Sequence, residues 1–303
     1  MKSMTKSMTK SMLVVLSLVV GPSIASARLL PPEMNFPAWG AQPNGARKGN
    51  GDNSATLEVK GPIKLRVKTV AGDVEIVAGP GRQVTAQLID GDAGVTLREG
   101  GGDRIEVLFD GDPSLRYGRL GLTIPKGSEV DVWTNSGNVT VKAVSGNVRV
   151  RSVAGDVHVS RAQNIELRTI SGDVVAEEIA GEVRIETVSG DSHISASKGA
   201  TNPRLAFNTT SGDLVWSGSC GPGCRLEARS LSGDLQLKLD PLSSFDVHYL
   251  SHSGEVNDDF KLEFAGPRPP SHEVNVRARY KAGDGLVDCQ TFSGDLRLLQ
   301  ASR

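Results

Sequence analysis

The chain is poor in aromatic residues, cysteine, net charge and long apolar runs, and each shortage removes a class of protein. Aromatics make up 4% of its 303 residues, which excludes a thick globular core built on large rings. Lys and Arg number 34 against 35 for Asp and Glu, giving a formal charge of −1. That balance removes the electrostatic case for a nucleic-acid partner. The one long apolar run, 13–20, is too short to cross a bilayer, and no later segment reads as a span. No phosphate loop, nucleophile elbow or metal-ligand cluster can be picked out. What the chain does have is glycine, 35 residues of it, set among alternating Val, Ile and Leu.

The glycines belong to a nine-residue phrase. It runs Ser136-Gly137-Asn138-Val139, Ser145-Gly146-Asn147-Val148, Ala154-Gly155-Asp156-Val157, and resumes at Ser171-Gly172-Asp173-Val174. Copies aligned on the residue before the key glycine give columns. Six positions earlier stand Leu65, Val130, Val148, Ile165, Val183, Leu205, Leu226, Val247 and Val287; four earlier, residues such as Val67, Val132, Val150 and Cys289. Two earlier, every copy carries Ser or Thr. Five earlier the sign of charge alternates through Asp131, Arg149, Glu166 and Arg184.

Side chains alternate across a strand, so the first three columns share a buried face and the charged column faces out. Parallel in-register neighbours would set those charges about 4.8 Å apart as cross-strand pairs of about 0.2–1 kcal/mol each. The hydroxyl column is expected to hydrogen-bond along itself. A second strand follows each glycine, as in Val157/Val159 and Leu235/Leu237. The expected fold is therefore all-β: a parallel, β-helix-like solenoid with two strands per 18–22-residue coil. An antiparallel sandwich explains the turns but does not require matched columns.

Gly72, Gly137, Gly155, Gly172, Gly190, Gly212, Gly233, Gly254 and Gly294 are the expected corner residues, since glycine accepts positive φ. The neighbouring Asp or Asn is expected to bond its own backbone. Beyond 190 the spacing lengthens, and the extra residues fall at the opposite corner: 198–203, 218–224, 240–244 and then 266–271.

Residues 1–27 read as a secretory signal, with Lys2, Lys6 and Lys10, an apolar stretch and Ala25-Ser26-Ala27 before cleavage at Arg28. No Cys follows that site, so a lipid anchor is not expected. Loss of the three lysines leaves 31 basic against 35 acidic residues. Residues 28–54 read as a Pro/Gly-rich disordered linker, 55–129 as irregular β coils, and 130–303 as the regular solenoid. In an exported chain Cys220 and Cys224, around Gly221-Pro222-Gly223, could close a small disulfide loop. Cys289 reads as a buried inert thiol.

The stretch Leu122-Thr123-Ile124-Pro125-Lys126-Gly127 with 130–144, and the closing Gly283-Asp284-Gly285 to Leu296, resembles the bacterial adhesin-like β-strand-repeat family, which has Ser-Gly-Asp repeats and no assigned molecular function. The resemblance covers roughly 55–300. It implies an exported repetitive β-fold at the cell envelope, periplasmic or on the surface, and offers no catalytic residues to carry over.

The function expected is a non-catalytic envelope scaffold or adhesin-like binding module, with an envelope protein or polysaccharide as partner. Its interaction edge is expected at Lys198, Asn202, Pro222, Pro241 and Arg268. Two alternatives stay open. Asp258-Asp259 could invite a polysaccharide hydrolase or lyase, although Asp258 falls at an inward position where the strand is expected to break. The Asp156, Asp173, Asp191, Asp213 and Asp234 corner could hold calcium, although it carries fewer glycines than calcium-binding nonapeptides. No other cofactor is expected, and His158, His193, His248 and His252 read as solvated surface side chains.

Overall fold

The computed structural model describes residues 53–89, 94–110, 118–200, 202–266 and 274–301. The signal-like segment, nearly all of the 28–54 stretch and Arg268 lie outside them. The described residues form strands and turns only, in two sheets of 12 and 13 strands. Each coil sends one strand into a leading sheet, turns at its key glycine, and sends the next strand into a trailing sheet. Glu129–Thr134 and Val139–Lys142 make one such coil; Asn147–Ser152 and Val157–Ser160 make the next.

The columns become physical neighbours. Val130, Val148, Ile165, Val183, Leu205 and Leu226 are consecutive register partners in parallel strands. Each is at most 4% exposed, so the alternating pattern stacks the apolar face of each sheet into one core. The solenoid is the observed fold.

Outward charges follow the same register. Arg98, Glu106, Arg66, Asp131, Arg149, Glu166 and Arg184 are successive partners across the leading sheet, so the alternation extends two strands beyond the copies in which it is legible. Arg149 meets Glu166 at 2.8 Å. Asp131 is shared by Arg66 at 3.7 Å and Arg151 at 3.3 Å, and Arg184 turns to Glu182 on its own strand at 3.2 Å. The ion pairs thus choose diagonals as well as direct neighbours, because long side chains reach past one strand spacing.

Both ends depart from sequence order. Lys64–Thr69 and Asp73–Gly79 pair directly with 129–134 and 139–142. Arg104–Asp110 and Arg119–Pro125 lie outside that first coil. At the other end Gly285–Ser293 and Leu296–Gln300 slide between Arg225–Ser232/Leu235–Leu239 and Phe245–Ser253/Val256–Asp258. Antiparallel strands then finish three of the four edges: Gln83–Ile89 with Ser54–Glu58, Gly94–Glu99, and Val274–Tyr280. The fourth ends on the short parallel strand Val256–Asp258. Phe245, Phe260 and Tyr280, with ring centroids 4.8–5.5 Å apart, plug the far end of the core. The second strand of this end coil stops at Asp258, and the chain turns to deliver Phe260.

Two expectations about the key corner need correction. The hydroxyls do not bond along their column. Thr69, Thr134, Ser152, Thr169, Thr187 and Thr209 each donate to the carbonyl two residues on in their own coil, at 2.8–3.1 Å, while the hydroxyls of Ser230, Ser251 and Thr291 are buried without a hydrogen-bond partner among the described residues. The Asp/Asn column does the reverse and bonds between coils. Asp73, Asn138, Asp156, Asp173, Asp191, Asp213, Asp234 and Asp295 each use Oδ1 to accept the backbone N–H of the equivalent residue in the next stacked coil, at 2.8–3.0 Å. Parallel stacking aims that N–H at the carboxylate below it, which a self-closing turn would not allow.

The nine corner glycines form a single column in the order 72, 137, 155, 172, 190, 212, 233, 294, 254. Eight of them have φ between +102° and +155°. A Cβ on any one after the first would lie 2.0–2.3 Å from the carbonyl oxygen of its stacked neighbour. Glycine is therefore required here by close approach as much as by φ.

Candidate interaction edge

The opposite corner is tight in the regular coils and lengthens after Ala196 and again after Gly218. Trp216 is 1% exposed, and a Cβ on Gly218 would sit 2.6 Å from its ring. The strand ends at that glycine. The 218–224 loop is closed by a disulfide between Cys220 and Cys224 with their Cα atoms 5.2 Å apart. Gly223 at φ +79° and a bond from Cys224 N–H to Gly221 O (3.0 Å) shape the turn. Both half-cystines are buried, so the disulfide lies inside the corner while Pro222 projects into solvent.

The next loop, 240–244, has a longer journey, because the coil it feeds is not the next one in the stack. It must pass over the intercalated 285–293 strand, and the turn at 281–284 fills the space beneath. The three loops are consequently bonded to one another. Cys220 N–H donates to Ser243 Oγ (3.0 Å) and Ser244 N–H to Cys220 O (2.8 Å). Gly285 N–H donates to Ser244 O (2.9 Å) and Lys281 Nζ to Pro241 O (2.7 Å). At the tip Leu242 is 76% exposed, the highest value among the exposed large apolar side chains.

Of the edge residues expected from sequence, Asn202 packs against Gly223, so a Cβ there would lie 2.9 Å from Asn202 Oδ1. Pro222 and Pro241 belong to the bonded loop group. Lys198 is exposed in the turn Ser197–Ala200 of the preceding coil. Sequence reasoning missed the charged side chains beneath these loops. Arg204, Arg225, Asp246 and Asp284 line an open depression of about 500 Å³ beside Gly223 and Gly283. Arg279 donates to Asp246 at 2.7 Å and holds that carboxyl below its ordinary range. Only knowledge of the stack order could have gathered these four residues, since they span 81 positions of sequence.

Elsewhere, reactive groups are engaged in the fold. Burial pushes the Cys289 thiol far above its ordinary value, leaving no thiolate for chemistry. Asp259, through its carboxylate and its carbonyl, accepts both N–H groups of Gln300 at the end of the solenoid. His158 and His193 flank Val175 in register, two strands apart. His248 faces Asp288 at 3.4 Å, and His252 stacks on Phe292 at 4.8 Å. Among the described residues no group of three or more His, Cys, Asp or Glu is placed to hold a metal ion, and no helix is long and apolar enough to cross a membrane.

The Toastrack DUF4097 family model matches residues 113–299. Among solved structures, the chain is similar to a "putative cell adhesion protein" from Clostridium sporogenes, with 9% identity, 82% of this chain and 99% of that chain covered, and a TM-score of 0.25. It is also similar to a "putative adhesin" from Parabacteroides merdae, with 11% identity, 83% and 98% covered, and a TM-score of 0.27. No curated protein matches.

Proposed function

Because the chain belongs to the Toastrack DUF4097 family, a family without an assigned activity, we propose that it is an exported, non-catalytic binding module of the cell envelope. Its partner surface is the loop-bearing edge from 198 to 285. One observation carries this reading: the 218–224, 240–244 and 281–285 loops are hydrogen-bonded to each other, and the first of them is closed by a buried disulfide. Ladder geometry alone needs no loops, as the tight coils from 129 to 196 show. A rigid stack that carries its departures from regularity on one side presents them as a single preorganised patch.

The test uses the exposed loop tip. Leu242→Asp should abolish co-sedimentation of the protein with isolated cell envelopes and leave its thermal unfolding unchanged. Leu231→Asp, at a 45% exposed position on the glycine corner, should bind as the unmodified protein does. Equal retention of the two variants would remove the loop edge as the partner surface.

A further inference from the structure

The depression beside the loops sets two arginines next to each other. Arg204 and Arg225 are register partners on adjacent parallel strands and both are exposed, so their side chains leave the same face about 4.8 Å apart. Like charges placed so oppose the pairing of their strands. Along the column from Arg98 to Arg184 the sheet avoids that by alternating sign. Where like charges do face each other, at Arg151 beside Arg168 and Lys64 beside Arg104, Arg151, Arg168 and Lys64 each reach an acid. Arg225 pairs with Glu227. Arg204 has no acid within ion-pair reach among the described residues, for its register partner Glu182 is taken by Arg184. Arg204 therefore has no ion pair to offset its place beside Arg225.

The same depression also presents two carboxylates. Asp246 accepts from Arg279 through both oxygens, at 2.7 and 3.1 Å, which leaves each oxygen a second lone pair. Asp284 is tied, among the described residues, through its backbone N–H, which donates to Ser244 Oγ at 3.3 Å. A ligand that was purely a polyanion would meet these carboxylates as repulsion. A ligand carrying one acidic group among hydroxyl donors would satisfy every group in the depression. Two guanidiniums grip a carboxylate through charge-assisted hydrogen bonds, and two carboxylates accept hydroxyl protons.

We propose that this depression binds an acidic sugar: a uronate unit of an envelope or extracellular polysaccharide, its carboxylate between Arg204 and Arg225 and its hydroxyls on Asp246 and Asp284. The inference rests on the loop-edge reading and names the ligand class of that surface. The disulfide and the Ser244 bonds hold the walls in place before the ligand arrives, which lowers the ordering cost of binding.

The experiment titrates the intact protein with oligogalacturonate by calorimetry, against the same oligosaccharide with its carboxylates reduced to alcohols, dextran, and polyphosphate. Oligogalacturonate should bind, weakening as salt rises, while the reduced oligosaccharide and dextran should not, and polyphosphate should bind at least tenfold more weakly. Arg204→Ala and Arg225→Ala should each lower oligogalacturonate affinity by about tenfold or more, with Arg204→Lys intermediate because it keeps charge but not the planar fork. Equal binding of the native and reduced oligosaccharides would overturn the proposal without requiring any variant to fold. So would tighter binding of polyphosphate, or no effect of either arginine substitution. Absence of uronate binding with envelope co-sedimentation intact and lost in Leu242→Asp would reject the acidic sugar and leave the loop edge standing. Envelope binding indifferent to Leu242→Asp would reject the edge itself.

Discussion

The corner column allows the two demands on glycine to be separated by substitution. Gly172 faces both: its φ is +115°, and an added Cβ would lie 2.3 Å from the carbonyl oxygen of Gly155. Gly199 faces only the first, with φ +84° and open space around it. Gly146 faces only the second: its φ lies outside the left-handed region, and a Cβ would meet Ser128 O at 2.1 Å. Left-handed geometry costs an L-residue about 1–2 kcal/mol, partly offset by about 0.4–1 kcal/mol from a stiffer unfolded chain. Gly199→Ala should therefore destabilise by no more than about 1.6 kcal/mol. Overpacking against backbone costs about 1–3 kcal/mol, and here the oxygen cannot rotate aside, so Gly146→Ala should approach the top of that range. Gly172→Ala should cost about 3–5 kcal/mol, the sum of both terms and a large part of the stability of an ordinary domain. Urea unfolding followed by circular dichroism gives the three values. Hydrogen exchange should place the loss in the coils on either side of 172, since repeats communicate chiefly with their neighbours. If Gly172→Ala and Gly199→Ala destabilise equally, close coil-to-coil approach is not what selects glycine at this corner.

Two further outcomes follow from the polar ladders. Asp173→Asn should leave stability unchanged or raise it slightly, because the amide oxygen can still accept the Asp191 N–H (2.9 Å) while one charge leaves a column of like charges. Asp173→Ala should lose about 1–2 kcal/mol in the same urea assay, and equal effects of the two substitutions would contradict the inter-coil bond. In the outward charge row, burial opposes ionisation of Glu166, yet the Arg149 hydrogen bond and the Arg149, Arg168 and Arg151 charges hold its pKa below the ordinary 4.5. A depressed folded pKa contributes stability above the unfolded value and loses it as pH falls through the folded one. Glu166→Gln should thus flatten the acid limb of a melting-temperature profile below about pH 4.5 and leave its slope above neutral pH unchanged; the gain is modest, because the Arg149 side chain is 48% exposed.

The periodic part of the molecule is legible because one rule determines it. Once Val148 must lie on Val130 and Arg149 beside Asp131, the face, register and direction of every regular strand follow. The corner bonding was less legible, because a carboxylate beside a glycine has two plausible acceptor roles, within its own turn or toward a neighbour, and only the parallel stack decides between them. The candidate site was least legible. The loops could be placed by counting residues between glycines, but the depression beneath them joins 204, 225, 246 and 284 through a strand order that no local pattern encodes. Column matching assigns Val287 and Cys289 to the same face as Val247 and Tyr249. It cannot say which coil lies nearer to Leu226.

That order has a physical purpose visible at both ends. A solenoid whose first and last coils simply stopped would leave two sheets with flat parallel edges, open to pairing with other chains. Here the sequence-terminal coils, 64–79 and 285–300, are each held between two others, and the coils displaced outward carry antiparallel strands and the Phe245–Phe260–Tyr280 plug. The intercalated coil at the second end is also fastened laterally, since Tyr249, buried beside it, donates to the carbonyl of Gly294 at 2.5 Å. The same intercalation forces the 240–244 connection to cross over its neighbour and brings it against the disulfide loop and the 281–285 turn. The device that blocks growth of the stack is thus the one that assembles the loop surface, so a change that let 285–300 slip out would expose an edge and dismantle the depression in one step.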